Sequence, residues 1–139
     1  MDKKICIVLS LFAVLMIGCA YAADNTVEIS GVNFTVPEGF TEDVSETIIN
    51  ESGSDDGYNY ITNSKTFEND DHLLLISVAT YDENITDDII KDIGEKTTLN
   101  NVTGYLGDMG FIALFSYVQD NKVVAITTDD SKIIEDVLT

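Results

Sequence analysis

The sequence contains no arginine and no tryptophan, and it has a single proline and a single histidine. Arginine is the usual bidentate ligand of phosphate and carboxylate groups, so its absence argues against a site for anionic substrates. Tryptophan is a common stacking platform for sugars, and this platform is missing as well. One histidine leaves too few side chains for a zinc site, because zinc takes mainly nitrogen and sulfur ligands.

Positive charge is also scarce. Seven lysines stand against 25 acidic residues, which gives a formal net charge of −18 at pH 7. A nucleic-acid-binding protein needs cationic side chains to displace counterions from phosphate, so the charge excludes nucleic acid as a partner. Anionic membrane surfaces are disfavoured for the same reason. An acidic surface suits solubility in saline surroundings, repulsion between neighbouring molecules or attraction of divalent cations.

The N-terminus has the organisation of a secretory signal peptide. Lys3 and Lys4 supply a positive start, residues 5–18 are apolar, and Ala20-Tyr21-Ala22 places small residues at positions −3 and −1 of a signal-peptidase site. We therefore expect a signal peptide at residues 1–22 and a single secreted α+β domain at residues 23–139. The mature protein would be secreted or would lie on the extracellular face of the cell envelope.

Two alternatives would keep the chain on a membrane. Residues 5–23 approach the roughly 20 residues that span a bilayer, as an uncleaved anchor would. Met16-Ile17-Gly18-Cys19 resembles a lipobox, in which Cys19 would carry a lipid. Cleavage and release is preferred, because the strongly apolar part is short and Ala-Tyr-Ala suits a peptidase. It leaves no disulfide, since Cys6 and Cys19 are the only cysteines.

Alternation of apolar and polar residues predicts mainly β-strands. Residues 27–36 form two alternating runs around Ser30-Gly31, which predicts a hairpin, and residues 111–127 predict a second hairpin around Asp120-Asn121. Residues 73–81 are apolar on both faces, as is typical of a central strand. Residues 58–67 resemble a further strand. Within residues 41–57, the apolar residues Val44, Ile48 and Ile49 fit either a strand or a helix, and residues 51–57 form a polar loop. The expected cross-strand pairs are Ile29–Val32, Val27–Phe34, Phe115–Ile126 and Tyr117–Val124.

Two short helices complete the predicted fold. Thr86 is a good N-cap, Asp87 and Asp88 complement the helix dipole, and the isoleucines at 89, 90 and 93 give an apolar stripe. Asp129 or Asp130 would begin a terminal helix with four apolar residues on one side. Hairpins in place of crossover units favour an antiparallel sheet. The expected class is therefore α+β, an antiparallel β-sheet built from hairpins with two short helices packed on one face.

Residues 34–40, Phe-Thr-Val-Pro-Glu-Gly-Phe, and the order of elements over most of the mature chain carry a resemblance. This layout resembles the Mog1/PsbP-like families, with Phe40 where those families often have tryptophan. The whole chain is also similar to small exported proteins of anaerobic archaea. Neither resemblance implies catalytic residues, and a shared fold does not define a function.

Catalytic chemistry has little support in the sequence. His72 is the only base available to a Ser–His–acid arrangement, and its place between Asp71 and Leu73 fits a polar turn residue. There is no Gly-x-Ser-x-Gly motif and no phosphate-binding glycine loop. Paired carboxylates could serve a glycoside hydrolase, but a chain so rich in acids always contains such a pair. We therefore expect a non-enzymatic protein, with a hydrolase as the third choice.

Paired aspartates are the clearest chemical signal. Four Asp-Asp pairs occur, and calcium takes hard oxygen ligands of this kind from loops. No stretch matches an EF-hand loop, and aspartate also favours turns and helix caps without any metal. No cofactor is expected other than calcium. If calcium binds, the expected ligands are Asp55, Asp56, Asp70 and Asp71.

Four Asn-x-Ser/Thr sequons are candidates for N-glycosylation. Asn33 lies on the polar face of the first predicted hairpin, and Asn50, Asn84 and Asn101 lie in predicted loops. The sequence as a whole predicts a secreted or cell-surface-associated acidic domain with a binding or envelope role. Its partner would be a protein or another envelope component, and the alternative function is a weak calcium-binding module.

Overall fold

The computed structural model describes residues 25–138. The predicted signal peptide at residues 1–22, the alternative membrane anchor and the lipidation candidate Cys19 all lie outside the described residues. Within residues 25–138, no helix has the length and apolar character needed to cross a membrane.

The described chain folds into two antiparallel sheets and very little helix. The elements are β1 Asn25–Ile29, β2 Val32–Val36, β3 Thr41–Asp55, β4 Tyr58–Glu68, β5 Leu73–Tyr81, β6 Glu95–Leu99, β7 Val102–Asp108, β8 Ala113–Gln119, β9 Lys122–Thr128 and α1 Lys132–Val137. β1 and β2 form a two-stranded hairpin, and the other strands form a seven-stranded sheet in the order β3-β4-β5-β9-β8-β7-β6. Two single turns of 3₁₀ helix follow β5, at Asp87–Ile89 and Lys91–Ile93.

The expected α+β class is wrong. Over residues 25–138 the protein is mostly β, with 62% of these residues in strands and 11% helical, and this part of the chain has one short α-helix instead of two. The helix predicted after Thr86 is replaced by the two 3₁₀ turns, and the Thr86 side chain makes no cap hydrogen bond there. The layer that covers the sheet is therefore not a pair of helices but the β1–β2 hairpin together with α1.

The core lies between one face of the large sheet and this covering layer. On the sheet, Ile76 pairs with Ile126, and Val78 pairs with Val124, so their side chains share a face. Phe34 from β2 and Ile134 from α1 complete the same cluster and are fully buried. The other members are Ile29, Val32, Val36, Phe40, Phe67, Leu74, Ala113, Phe115, Tyr117, Ile133, Val137 and Leu138.

Most of the strand predictions are confirmed. Both hairpins have the expected registers, with Ile29 opposite Val32 in the first hairpin and Phe115 opposite Ile126 in the second. Residues 73–81 form a central strand, β5, between β4 and β9. The terminal helix is also confirmed, but its N-cap is Ser131 and not Asp129 or Asp130, and the Ser131 side chain makes no cap hydrogen bond. The Asp130 carboxylate accepts a hydrogen bond from the backbone N–H of Lys132 at 3.0 Å.

The segment that fits either strand or helix is an irregular edge strand. The polar loop predicted at residues 51–57 is wrong, because β3 continues to Asp55 and only Asp56-Gly57 form the turn. β3 pairs with β4, but its register shifts between Asp43 and Ile48 and again between Ile48 and Glu51. These bulges turn Val44 and Ile49 to solvent, where they are 72% and 73% exposed. Bulges and charged residues are common on edge strands, because they discourage pairing with other chains.

Residues 82–94 lead from β5 at the middle of the sheet to β6 at its far edge. Ile90 is buried but lies outside the main core cluster. Asp87 is 3.6 Å from the Nζ of Lys96 and accepts a hydrogen bond from the Tyr105 hydroxyl at 3.5 Å. Since Tyr105 opposes Ser116, it faces away from the side chain of Phe115. The connection thus packs on the face opposite the main core.

Candidate functional site

Three tyrosines meet where the β3–β4 hairpin lies beside the end of β5. A two-residue turn, Asp56-Gly57, joins the strands with both residues at positive φ, 47° and 85°. Asp-Gly favours this type of turn because both positions need left-handed backbone. Tyr58 and Tyr60 are two residues apart on β4 and so share a face, and Tyr60 pairs with Tyr81 on β5.

The rings of these tyrosines pack against one another. The centroids of Tyr60 and Tyr81 are 5.2 Å apart with an interplanar angle of 42°, and Tyr58 meets Tyr81 edge-on at 6.4 Å. Such tilted and edge-to-face contacts are preferred because they match the negative face of one ring to the positive edge of another. Tyr81 is 7% exposed, whereas Tyr58 and Tyr60 are half-buried and present part of their surface to solvent.

Gly53 gives the Tyr60 ring its position. The two residues are cross-strand partners, and a Cβ atom on residue 53 would lie 2.5 Å from two ring carbons of Tyr60. The ring therefore lies across the glycine backbone, an arrangement that protects a strand glycine and fixes the aromatic side chain. Any larger residue at position 53 would push the ring away.

Tyr60 and Tyr81 are among the residues that line a cavity of about 520 Å³, which we call the tyrosine pocket. This volume falls within the range of small-molecule sites, roughly 300–1,000 Å³. Ile61, 45% exposed, forms part of one wall. The complete lining is Ser52, Gly53, Asn59, Tyr60, Ile61, Thr80, Tyr81 and Asp82.

Carboxylates give the tyrosine pocket a negative potential. Asp82 accepts a hydrogen bond from the Asn59 side-chain amide at 3.3 Å, and its backbone N–H donates to the carbonyl of Asn59. The pKa of Tyr81 is raised, first by burial and then by the charges of Tyr60 and Asp55. Since its ordinary pKa is already 10.0, the Tyr81 phenol stays protonated at neutral pH and is no general base.

The β8–β9 turn forms hydrogen bonds with the end of β5 beside the tyrosine pocket. The Asn121 carbonyl accepts a hydrogen bond from the backbone N–H of Tyr81 at 2.8 Å. The Asn121 side-chain amide in turn donates to the carbonyl of Tyr81 at 2.7 Å. Because the backbone N–H and carbonyl of Tyr81 are both hydrogen-bonded, the backbone that carries its ring is fixed. A fixed backbone lowers the entropy cost of binding a ligand at this site.

The structure does not bring the two expected calcium-ligand pairs together. Asp55 and Asp56 lie at the β3–β4 turn, while Asp70 and Asp71 lie at the β4–β5 turn, at the opposite end of β4. β4 is 11 residues long, and a strand rises about 3.3 Å per residue, so more than about 30 Å separates them. Among residues 25–138, no group of three or more His, Cys, Asp or Glu side chains is placed to hold a metal ion.

The turn at Asp70-Asp71 has an explanation without metal. The Asn69 side-chain oxygen accepts hydrogen bonds from the backbone N–H groups of Asp71 at 2.8 Å and His72 at 2.7 Å. Asparagine commonly closes turns in this way. His72 lies in the same turn, with its Nδ1 3.3 Å from the Asp129 carboxylate. It is thus at the opposite end of the sheet from the tyrosine pocket.

The four sequon asparagines are all exposed. Asn33 lies on β2, Asn84 follows β5, and Asn101 lies in the β6–β7 turn, as expected from the sequence. Asn50 differs, because it belongs to β3 and not to a loop, at a left-handed backbone position with φ 53°. It lies within the second bulge of that strand, which holds it at the sheet edge.

No family model, no curated protein and no solved structure matches the chain. The resemblances drawn from residues 34–40 and from the order of elements therefore stay predictions. The tyrosine pocket was not predicted from the sequence, although a sequence signal for paired tyrosines was present. Tyr58 and Tyr60 follow an Asp-Gly turn at strand spacing, which predicts two aromatic rings on one face at a hairpin end.

Proposed function

We propose that the protein is an exported, non-enzymatic binding domain that acts outside the cytoplasmic membrane and attaches to a component of the cell envelope through the tyrosine pocket. The observation that carries this proposal is the pocket itself, a concave site lined by residues of β3, β4 and β5 together with one charged residue, Asp82. Sites of this composition bind ligands by burying apolar surface, and a few polar groups fix the orientation. The signal-peptide pattern of residues 1–22 supports export.

The strongest support for binding is that an exposed apolar residue lies beside well-anchored tyrosines. The Tyr60 ring lies across Gly53, Asn121 bonds the backbone of Tyr81, and Ile61 is 45% exposed. Tyrosine is enriched at interfaces because it offers a large contact area with little loss of conformational entropy. This end of the sheet, with its tyrosines and the exposed Ile61, is therefore a favourable place for a partner.

Envelope attachment is tested with two matched substitutions. Ile61→Ser changes the wall of the tyrosine pocket, whereas Leu73→Ser changes a similarly exposed aliphatic residue at the opposite end of the sheet. We expect the exported wild-type protein and Leu73→Ser to sediment with the envelope fraction. Ile61→Ser should raise the dissociation constant for the envelope fraction about fivefold, the effect of losing roughly 1 kcal/mol of apolar burial, and so lower the bound fraction when the envelope fraction is limiting.

Two outcomes would contradict the proposal in different ways. If all three proteins stay in the soluble fraction, the domain has no envelope role. If Ile61→Ser sediments as well as the wild type, the tyrosine pocket is not the attachment site. Thermal melting of each variant serves as the control for folding.

We also propose that the exported protein is N-glycosylated at Asn33, Asn50, Asn84 and Asn101, because all four side chains are exposed. Mass spectrometry of the protein from a host that modifies Asn-x-Ser/Thr sequons is expected to show glycan masses. Each Asn→Gln substitution should remove the glycan at its own position. A mature protein with only the mass of its polypeptide would contradict this proposal.

A further inference from the structure

We infer that Asn84 is the sequon at which the folded protein accepts a glycan, whereas Asn33 accepts one only before the β1–β2 hairpin forms. This inference rests on the proposed N-glycosylation and adds its order relative to folding. A transferase reads the asparagine and the Ser or Thr two residues later, so it must surround three consecutive residues. It therefore needs a sequon whose backbone is free of neighbouring strands.

Transfer of the glycan exchanges one bond to the anomeric carbon for another. The side-chain nitrogen of asparagine attacks the anomeric carbon of an oligosaccharide that is linked to a lipid phosphate. The bond between that carbon and the phosphate oxygen breaks, the lipid phosphate leaves with the electron pair, and the amide proton passes to a base of the transferase. The protein contributes only the accessible tripeptide, so its backbone geometry decides which asparagine reacts.

Asn84 lies in the part of the connection after β5 that has no regular structure. Asn84 and Thr86 are exposed, and Ile85 between them is half-buried. All three residues follow β5 and precede the first 3₁₀ turn at Asp87–Ile89. No hydrogen bond joins Asn84 to any other residue of the described range 25–138. A transferase can therefore enclose this tripeptide without breaking the sheet.

The sequon of Asn33 is built into the first hairpin and the core. Asn33 pairs with Glu28, and Thr35 pairs with Thr26, across the β1–β2 hairpin. Phe34, the middle residue of the sequon, is fully buried in the core cluster. Enclosing this tripeptide requires the hairpin to open and the ring to leave the core, and openings of core segments are the rarest that a folded protein undergoes. Exposure of the Asn33 side chain is therefore not sufficient for transfer after folding.

Asn50 and Asn101 are intermediate cases, because part of each sequon is held by a neighbouring strand. The backbone N–H of Asn50 donates a hydrogen bond to the side-chain oxygen of Asn63 at 2.9 Å. The hydroxyl of Thr103, which completes the sequon of Asn101, shares a hydrogen bond with the hydroxyl of Thr98 at 2.8 Å. Both sequons lie at the margin of the sheet, where local opening costs less than in the core. We expect them to react more slowly than Asn84 and faster than Asn33.

The test compares each sequon in the folded protein with the same sequon in a synthetic peptide. The mature protein is produced in a host without N-glycosylation and is incubated with a purified oligosaccharyltransferase and its lipid-linked donor. Short peptides centred on each of the four asparagines serve as unfolded references, and site-resolved mass spectrometry gives the rates. In the folded protein, Asn84 should react within about threefold of its peptide, and Asn33 at least about a hundredfold more slowly than its own.

Matched substitutions assign these rates to the sequon and to the hairpin. Thr86→Ala removes the hydroxyl of the Asn84 sequon and should abolish transfer there, whereas Thr86→Ser keeps a hydroxyl and should preserve transfer. Gly31→Ala places a side chain at φ +80° with open space around it, so it weakens only the turn of the first hairpin. It should speed transfer at Asn33 about fivefold and leave Asn84 unchanged. If thermal melting shows that Gly31→Ala is unfolded, the wild-type rates alone decide the outcome.

Transfer to Asn33 of the folded protein at the rate of its peptide would overturn the inference. So would a lack of transfer to Asn84 when its peptide reacts, or an equal slowing at all four sequons. Failure here is distinguishable from failure of the proposed glycosylation. If the exported protein carries glycans but the folded protein accepts none at Asn84, the glycans are added before folding and only the inference fails. An exported protein with only the mass of its polypeptide, whose purified form still shows the expected order of rates, would contradict the proposed glycosylation alone.

Discussion

Replacing Phe115 with alanine is expected to lower the free energy of unfolding by about 3–5 kcal/mol, the usual cost of removing a buried aromatic side chain. Phe115 is fully buried in β8, directly opposite Ile126, and its ring lies 6.0 Å from that of Tyr117. The loss comprises the transfer free energy of the ring and the cavity that it leaves. Because stabilities of small domains are themselves about 5–15 kcal/mol, Phe115→Ala should be close to unfolding.

The measurement is urea unfolding of the mature protein, with Phe111→Ala as the control. Phe111 is the same residue type four positions earlier, but it is 73% exposed in the β7–β8 turn. Its replacement should change the free energy of unfolding by no more than about 0.5 kcal/mol. Equal effects of the two substitutions would mean that the core does not lie on the face of the sheet occupied by Phe115.

Replacing Gly94 with alanine is expected to destabilise the protein by about 3 kcal/mol, at the upper end of the usual cost of overpacking. A Cβ at this position would overlap the carbonyl oxygen of Leu106, which is part of the backbone and cannot rotate away. Gly107 makes the reciprocal contact, since its own Cβ would lie 2.5 Å from the carbonyl oxygen of Ile93. These two glycines let residues 82–94 approach β7 closely.

Gly110→Ala separates this steric effect from ordinary backbone strain. Gly110 has φ +85° and open space around it, so alanine there costs about 1 kcal/mol through its conformation alone. Gly94 has an extended backbone with φ 174°, and alanine there meets only the steric contact. Urea unfolding should therefore rank Gly94→Ala as more damaging than Gly110→Ala. The reverse order would show that residues 82–94 do not dock against β7.

The hairpins were predictable because their signals are local. Ser30-Gly31 and Asp120-Asn121 each join two alternating runs, so the turn fixes which residues face each other. In the structure, Ser30, Gly31 and Asp120 have positive φ, as tight hairpin turns require. The pairs predicted from these turns are those observed. Leu73–Tyr81 is a central strand, as its apolar residues on both faces predict, and it pairs with β4 on one side and β9 on the other.

The false helix after Thr86 shows where local signals fail. The 3₁₀ turns at Asp87–Ile89 and Lys91–Ile93 belong to a segment that packs on β6 and β7. Asp87 contacts Lys96 and Tyr105, and Gly94 lies against the backbone of Leu106. These partners are brought together by the strand order of the whole sheet, which a local sequence pattern does not show.

β3 was ambiguous for a different reason. Its apolar residues Val44 and Ile49 point to solvent, so they obey neither the period of a strand nor that of a helix. Two bulges break the alternation, and a bulge is detected only when the partner strand is known. The Asp-Gly pair at positions 56 and 57 was the usable signal, because it favours a tight turn over a long polar loop.

The candidate site was harder to predict than the sheet. The aspartate pairs of the sequence predict a calcium site, but Asp55-Asp56 and Asp70-Asp71 lie at the two ends of β4. The tyrosine pocket depends on a contact between Tyr60 and Tyr81, which are 21 residues apart and meet only through the β4–β5 register. Its charge comes from Asp82, a residue with no distinctive sequence context. Chemistry that depends on cross-strand neighbours is visible only after the register is known.

The central claim is that the tyrosine pocket is the binding site of an envelope-attached domain. Its most direct test is an NMR comparison of the mature protein, with side chains assigned, before and after addition of a solubilised envelope fraction. The account predicts shifts at Tyr60, Tyr81 and Ile61, with none at the exposed Met109 and Phe111 at the other end of the sheet. Shifts confined to Met109 and Phe111, or no shifts at all, would contradict it.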